Sequence, residues 1–377
     1  MMRFRSRRAF LGTVGAAAIA GCFAEESPGP RGGAGDGSDS DSETPASTST
    51  PDPDDGPPVA EETYYVPYDV GVLRSMATMT DVHQDGIPSI DDPTFTDADG
   101  ISDGTLDLDD GDVVFGVERG GVAKAYPQRV VVYHEIVNDE LAGVPIALTY
   151  CPLTGTAQGF ERGGTTFGVS GRLINSNLVL FDRGTETWWP QILGYGLSPP
   201  FAGVSLREFR VIWTTWRRWR TAHPDTLVMT ADTGYERRYH DDPYGGYNPP
   251  QGYYDFGGPM YEVAVETDGD PFEDKEVVLG CRTTDGAAAF HKETVLDERI
   301  VRAEIGGVDH VAVADPSLAS GYVYADPASH SIDPDGDGYR LDGERYEPAS
   351  LPLDRQLAFD AMWFAWYASY PDTAVEY

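Results

Sequence analysis

Cys151 is the residue best suited to chemistry, because of what stands on either side of it. Pro145 to Tyr150 is an apolar run that reads as a buried strand, and Cys151 closes it ahead of Pro152-Leu153-Thr154-Gly155-Thr156. That order brings a soft sulfur, two hydroxyls and free backbone amides to the end of one strand. His134 and Glu135 stand on the preceding stretch, and Ser170, Asn175, Asn177 and Gln191 follow. With Asn138, Thr154, Gly155 and Thr156, these residues form a candidate ligand-binding set around Cys151. Cys151 and His134 read as a thiolate nucleophile with its base, with amides near Thr154–Thr156 stabilising an anion. The leading reading is binding of a metal ion or small ligand there, with Cys151 and His134 as the soft half of a copper or zinc site. A single cysteine is also commonly a small buried hydrophobe, so a structural reading stands beside both.

Other patterns are weaker. Asp333, Asp335, Asp337, Gly338 and Glu344 match the spacing of a calcium loop, with oxygen ligands at alternate positions and a distal glutamate. Pro334 and the run Gly343-Glu344-Arg345-Tyr346 read as turn and strand, however, where a helix-flanked calcium loop requires helices. Met76, Met79 and His83 could be soft ligands, with core packing as the alternative. Cys281 falls inside a hairpin strand and reads as core. No phosphate-cradling loop, nucleophile elbow, Cys-x-x-Cys pair or His-Glu-x-x-His helix is present.

The elements that must position Cys151 occur twice. Val113-Val114-Phe115-Gly116-Val117 returns as Val277-Val278-Leu279-Gly280-Cys281, and Gly143-Val144 and Cys151-Pro152 align with Gly307-Val308 and Asp315-Pro316 at the same offset of 164. Trp216, Trp219 and Pro224-Asp225-Thr226 align with Trp363, Trp366 and Pro371-Asp372-Thr373 after a 17-residue contraction. Two copies are too few for a solenoid. The expectation is an α+β, β-predominant fold of two pseudo-symmetric tandem repeats forming a two-lobed body. Its first lobe would span 63–245 and carry the site, and its second, degenerate lobe would span 246–377. Within the first, Val113–Val117 and Val122–Tyr126 predict a hairpin about Gly120-Gly121. Pro127 opens a helical stretch Gln128–Ile136, and a helix near Thr214–Ala222 places Trp216 and Trp219 on one core-facing side.

Several longer blocks carry a family resemblance. Asp85-Gly86-Ile87-Pro88-Ser89-Ile90-Asp91-Asp92-Pro93, His134-Glu135-Ile136-Val137-Asn138-Asp139, Thr149-Tyr150-Cys151-Pro152-Leu153-Thr154-Gly155-Thr156 and Asn175-Ser176-Asn177-Leu178 resemble domain-of-unknown-function family 3179. The resemblance covers most of residues 64–377 and implies an exported or membrane-associated protein, without an activity to carry over. The second repeat lacks a Thr-Tyr-Cys-Pro block, so a family site would lie in the first. The acidic stretch Asp97–Asp112 departs from the family pattern and reads as a surface loop.

Residues 1–22 say where the protein works. Ser6-Arg7-Arg8-Ala9-Phe10-Leu11 sets an arginine pair before a short apolar run ending at Ala20-Gly21-Cys22. This pattern predicts twin-arginine export, with Cys22 lipidated as the mature N-terminus. The run is too short to span a bilayer as a helix, which needs about 20 apolar residues. Residues 23–62, dominated by Ser, Thr, Pro, Gly, Asp and Glu, predict a disordered linker. The partner is therefore the membrane, reached through the lipid on the extracellular face. Net charge is −35, or −39 once cleavage removes Arg3, Arg5, Arg7 and Arg8. Phosphate backbones would be repelled, so nucleic acid is not a partner. Self-repulsion of this size is relieved by salt screening, as in a protein from a salt-loving archaeon. In the native host the full chain should sediment with membranes, whereas Cys22→Ala should be released. Equal membrane retention of Cys22→Ala would refute the lipid anchor.

Overall fold

Val, Ile, Tyr and Phe in short runs between glycine-containing turns favour strands over helices. The computed structural model describes residues 51–102, 106–255, 257–267 and 271–376, which lie in one compact unit, Ser49–Tyr377. Segment 1–22 with Cys22, and the linker as far as residue 50, fall outside the described residues. The fold is α+β with strands predominating, and its α-helices are four to seven residues long. No helix among the described residues is long and apolar enough to cross a membrane.

The end of the expected linker is packed. Val59 bridges Leu206, the Ala60 N–H donates to Ser205 O at 2.8 Å, and Phe201 sits where a side chain on Gly56 would stand. Contacts with the body offset an ordering cost that the composition of 51–62 alone does not cover.

The expected hairpin is present as Val113–Arg119 and Val122–Pro127, with Gly120 and Gly121 both at positive φ in its turn. Ile212–Thr215 pairs antiparallel on one side of it, and Leu227–Met229 pairs parallel on the other. A short helix, Gln128–Val131, leads to an antiparallel meander of Ile136–Leu141, Val144–Cys151 and Thr156–Glu161. The later half of the chain has the same order of elements. A hairpin of Val277–Arg282 and Ala287–His291 is flanked by Ala358–Met362 antiparallel and Ala374–Glu376 parallel. Helix Lys292–Glu298 then leads to a meander of Ile300–Ile305, Val308–Asp315 and Ser320–Ala325. Trp219 covers Gly116 and Trp366 covers Gly280, each so closely that a Cβ on the glycine would lie 2.2 Å from the indole. Their ring N–H groups donate to Thr226 at 2.9 Å and Thr373 at 3.0 Å. The tryptophans are core residues, as their spacing predicted.

Hydrophobic clusters run through both halves. Val114, Tyr126 and Trp216 pack in one cluster with Val311, Tyr322 and Tyr339, and Ile174 and Val179 in another with Val278 and Trp363. Polar contacts from residues 208–218 bind the halves further. Glu208 pairs with Arg282, each side chain only 1% exposed. Arg210 donates to Ala358 O, to Ser320 Oγ at 2.9 Å and to Gly321 O at 2.6 Å. Thr214 Oγ1 reaches Leu318 O at 2.6 Å, and Arg218 reaches Pro316 O at 2.6 Å. Breaking one side of a buried ion pair strands the other charge, at about 3–5 kcal/mol. Urea unfolding at constant salt should therefore show a large loss for Arg282→Met and a smaller one when Glu208→Gln accompanies it. Equal losses would mean that the pair is not electrostatically coupled.

Candidate functional site

The separated sequence blocks meet around the start of the Ile136–Leu141 strand. Segment 85–93 lies along its edge, with the Ile90 N–H donating to Ile136 O at 2.9 Å and the Asn138 N–H donating to Ile90 O at 2.8 Å. Asp91 accepts from Ser89 Oγ at 2.7 Å and from Asn138 Nδ2 at 2.6 Å. The Asn138 amide also exchanges hydrogen bonds with the Phe167 backbone, both at 2.9 Å. Asn138, expected as a ligand residue, is therefore an internal tie between three segments.

His134 is fully committed. Its Nδ1 lies 2.7 Å from Pro88 O, which can only accept, so Nδ1 carries the proton. Nε2 lies 2.7 Å from Tyr239 Oη and accepts from it. Burial pushes the imidazole down to about 4, against the opposing effect of the Pro88 carbonyl. Both ring nitrogens are thus engaged by groups other than Cys151.

The helix expected over Gln128–Ile136 stops at Val131. Three successive β-branched valines are weak helix formers. Val131 O receives the N–H groups of both His134, at 3.0 Å, and Glu135, at 2.7 Å. Glu135 then turns the chain into the strand with φ of 59°, a left-handed conformation that is uncommon outside glycine and asparagine. Among the described residues its side chain has no charged partner, and burial pushes the carboxyl up to about 8. It is near enough to Cys151 and Tyr244 for its charge, once formed, to raise both.

Cys151 ends its strand as expected and is 1% exposed. Burial, followed by the Glu135 charge, pushes the thiol up to about 11, against the opposing Thr154 hydroxyl. Its Sγ lies 3.8 Å from Ser176 O, and Tyr244 and Tyr253 pack against its apolar cluster. Cys151 and Cys281 are both free and buried. Behind the thiol lies a closed polar network. Asn177 Nδ2 donates to Thr154 Oγ1 and Gln191 Oε1, both at 2.9 Å. Gln191 Nε2 donates to Thr149 Oγ1 at 2.9 Å and to Thr156 O at 3.2 Å. Gly155 occupies the left-handed region at φ 54° and packs against Met362. Ser170 Oγ is spent on Val179 O at 2.6 Å. Asn175 holds Ala368 O at 2.8 Å and the Ala264 N–H at 2.9 Å. Most of the expected ligand set is thus brought together, but as internal scaffolding. Cys151 keeps weak contacts to Ser176 O and the Thr154 hydroxyl, and Glu135 is buried beside it without an ion-pair partner among the described residues.

Residues 84–373 match the family described as "Protein of unknown function (DUF3179)". The chain belongs to the DUF3179 family. No curated protein and no solved structure matches it. All four sequence blocks that carried the resemblance lie within the matched residues.

In this DUF3179 chain the expected calcium residues fall in a β-meander, Ile332–Asp335, Gly338–Leu341 and Glu344–Tyr346. Asp335 pairs with Arg340 at 2.5 Å, and Glu344 accepts from Tyr346 at 2.8 Å. Among the described residues no group of three or more His, Cys, Asp or Glu side chains is placed to hold a metal ion. Asp333 and Asp335 therefore share one face of a hairpin strand, Asp337 lies in the turn after it, and Glu344 opens the third strand. Met79 is 66% exposed, whereas Met76 packs half-buried. Sequence reasoning missed Tyr239, Tyr244 and Tyr253, although the density of tyrosines over 235–261 signalled them.

Between about pH 4.5 and 8 the folded protein keeps the Glu135 proton that an unfolded chain releases. Stability from this group is thus complete below the unfolded pKa and lost as pH rises through 8, at most about 1.4 kcal/mol per unit. Urea unfolding of wild type against Glu135→Gln should show the variant gaining relative stability from pH 5 to 9. A pH-independent difference would place an ionised, stabilised carboxylate at 135.

Proposed function

We propose that this protein is a lipid-anchored, extracytoplasmic binding protein whose small-ligand site centres on Glu135 and Cys151. The observation that carries the reading is the Glu135 carboxyl. It is 8% exposed, is held on a left-handed backbone, and stands beside a thiol without a charged partner. A buried acid without a compensating charge is the kind of group that functional sites retain. Binding fits better than Cys-dependent catalysis, because the Cys151 thiol is raised rather than lowered and His134 is spent elsewhere. A small organic ligand fits better than a metal ion, since Glu135 and Cys151 supply only two ligating groups.

We infer as well that the chain is duplicated and pseudo-symmetric, its second half having lost the site. The supports are the common order of elements and the tryptophan-on-glycine packing. Arg299, in the second half, has φ of 72° at the position aligned with Glu135. Asp315 stands at the position of Cys151 and caps its own turn through Ser317 and Leu318.

Native mass spectrometry of the protein purified at high salt from its host's membranes tests the site. Wild type should carry a bound small molecule that both Glu135→Gln and Cys151→Ala lose. A bare wild-type mass, or a ligand kept equally by both variants, would overturn the proposal, and a metal mass would replace an organic ligand with an ion.

A further inference from the structure

A second buried cluster, outside the proposed binding site, is built from phenols. Tyr247 and Tyr254 stack with ring centroids 3.8 Å apart and planes 18° from parallel. Tyr150 Oη lies 2.8 Å from Tyr247 Oη and 3.3 Å from Tyr254 Oη. Tyr254 Oη donates to Asp242, 3.1 Å from Oδ2. Half-buried Trp213 meets the Tyr247 ring edge-on at 4.9 Å. The other groups that hydrogen-bond Asp242 among the described residues are neutral: Gln128 Nε2 at 2.7 Å, the Tyr244 N–H at 2.8 Å and the Gly245 N–H.

We propose that Tyr254 is a one-electron donor, with Asp242 as its proton acceptor and Tyr247 and Trp213 as the route to the surface. The reacting partner is an external one-electron oxidant. Removing an electron from a phenol makes its O–H strongly acidic, so the electron leaves readily only where a base stands on that proton. Tyr254 loses one electron to the oxidant, which is reduced by one. The phenol O–H bond breaks, a new O–H bond forms on Asp242 Oδ2, and a neutral phenoxyl radical remains. A one-electron reductant reverses the step as the proton returns. The stacked Tyr247 ring and the Trp213 indole supply aromatic orbitals at van der Waals range between Tyr254 and the protein exterior.

A second buried phenol–carboxylate pair supplies the contrast. Tyr126 Oη donates to Asp139 at 2.6 Å, but Lys124 Nζ binds the same carboxylate oxygen at 2.7 Å. A cation on the carboxylate weakens it as a base. Among the described residues Asp242 has only neutral hydrogen-bond partners, and its burial raises its basicity. Tyr126 also meets Phe95 edge-on rather than stacking on a second phenol.

Flash photolysis of the full chain with a photogenerated ruthenium(III) polypyridyl oxidant, followed by freeze-trapped electron paramagnetic resonance, tests this. Wild type should form a tyrosyl radical, and its oxidation should be slower in D2O by a factor of about two, because proton and electron leave together. Tyr254→Phe should lower the radical yield several-fold where Tyr126→Phe does not, and Asp242→Asn should slow oxidation. Near-ultraviolet circular dichroism checks that each variant keeps its packing. An unchanged yield in Tyr254→Phe would overturn the assignment. The isotope effect is read on wild type alone, so its absence would overturn the role of Asp242 whatever the variants do.

Discussion

Glu208 and Arg282 meet where neither side chain reaches water, and the register of the two halves depends on that contact. Burying two charges costs several kcal/mol per ion before their attraction and hydrogen bonds return it, so such a pair specifies an arrangement more than it stabilises one. Here it selects the position of the Glu208–Phe209 strand on Thr156–Glu161 and, through it, of the neighbouring Val144–Cys151 strand. Arg210, Thr214 and Arg218 extend the same logic, each donating to a backbone carbonyl of the second half. Arginine suits this role because its donors are fixed in a plane and its charge persists. In a chain of net charge −35, arginines drawn inward also leave the surface more acidic.

That docking explains how a strained acid is tolerated. Glu135 is held by its neighbours: Pro88 and Tyr239 fix His134 before it, and Ile90 and Asn138 fix the strand after it. The network of Thr149, Thr154, Asn177 and Gln191 stiffens the other wall behind Cys151, because a satisfied buried network resists rearrangement. What remains between these walls is a carboxyl and a thiol that the fold does not consume. Burial favours the neutral form of each, which makes the site nearly uncharged at neutral pH despite the acidity of the chain.

The aromatic segment between the halves closes this region. Tyr253 Oη donates to Leu153 O at 2.7 Å, and Ser176 Oγ donates to Tyr261 O at 2.7 Å. Tyr244 and Tyr253 pack against the Cys151 cluster, while Tyr247 and Tyr254 stack against each other nearer Trp213. Phenols suit such a seam because each ring fills apolar space while its hydroxyl satisfies a polar neighbour. One segment therefore packs over the Cys151 cluster and supplies the phenol cluster.

Local pattern was enough for much of this chain. The Gly120-Gly121 hairpin, the buried strand ending at Cys151, the core roles of Trp216 and Trp219 and the β-predominant class all rest on periodicity and turn chemistry, which act over a few residues. The family resemblance likewise lay in contiguous blocks. What the sequence left open was every question of partnership. His134 and Cys151 were plausible partners by residue type, but Pro88 and Tyr239, distant along the chain, had claimed the imidazole. Asp333, Asp335, Asp337 and Glu344 had the spacing of a calcium loop, but strand pairing set it to a hairpin instead. Glu135 stood in the candidate ligand set, but as one of 62 acidic residues nothing local marked its carboxyl as uncompensated. Only the packing of segments far apart in the chain removed water and counter-charge from its carboxyl, and desolvation is a property of the surroundings that no local pattern of residues can carry.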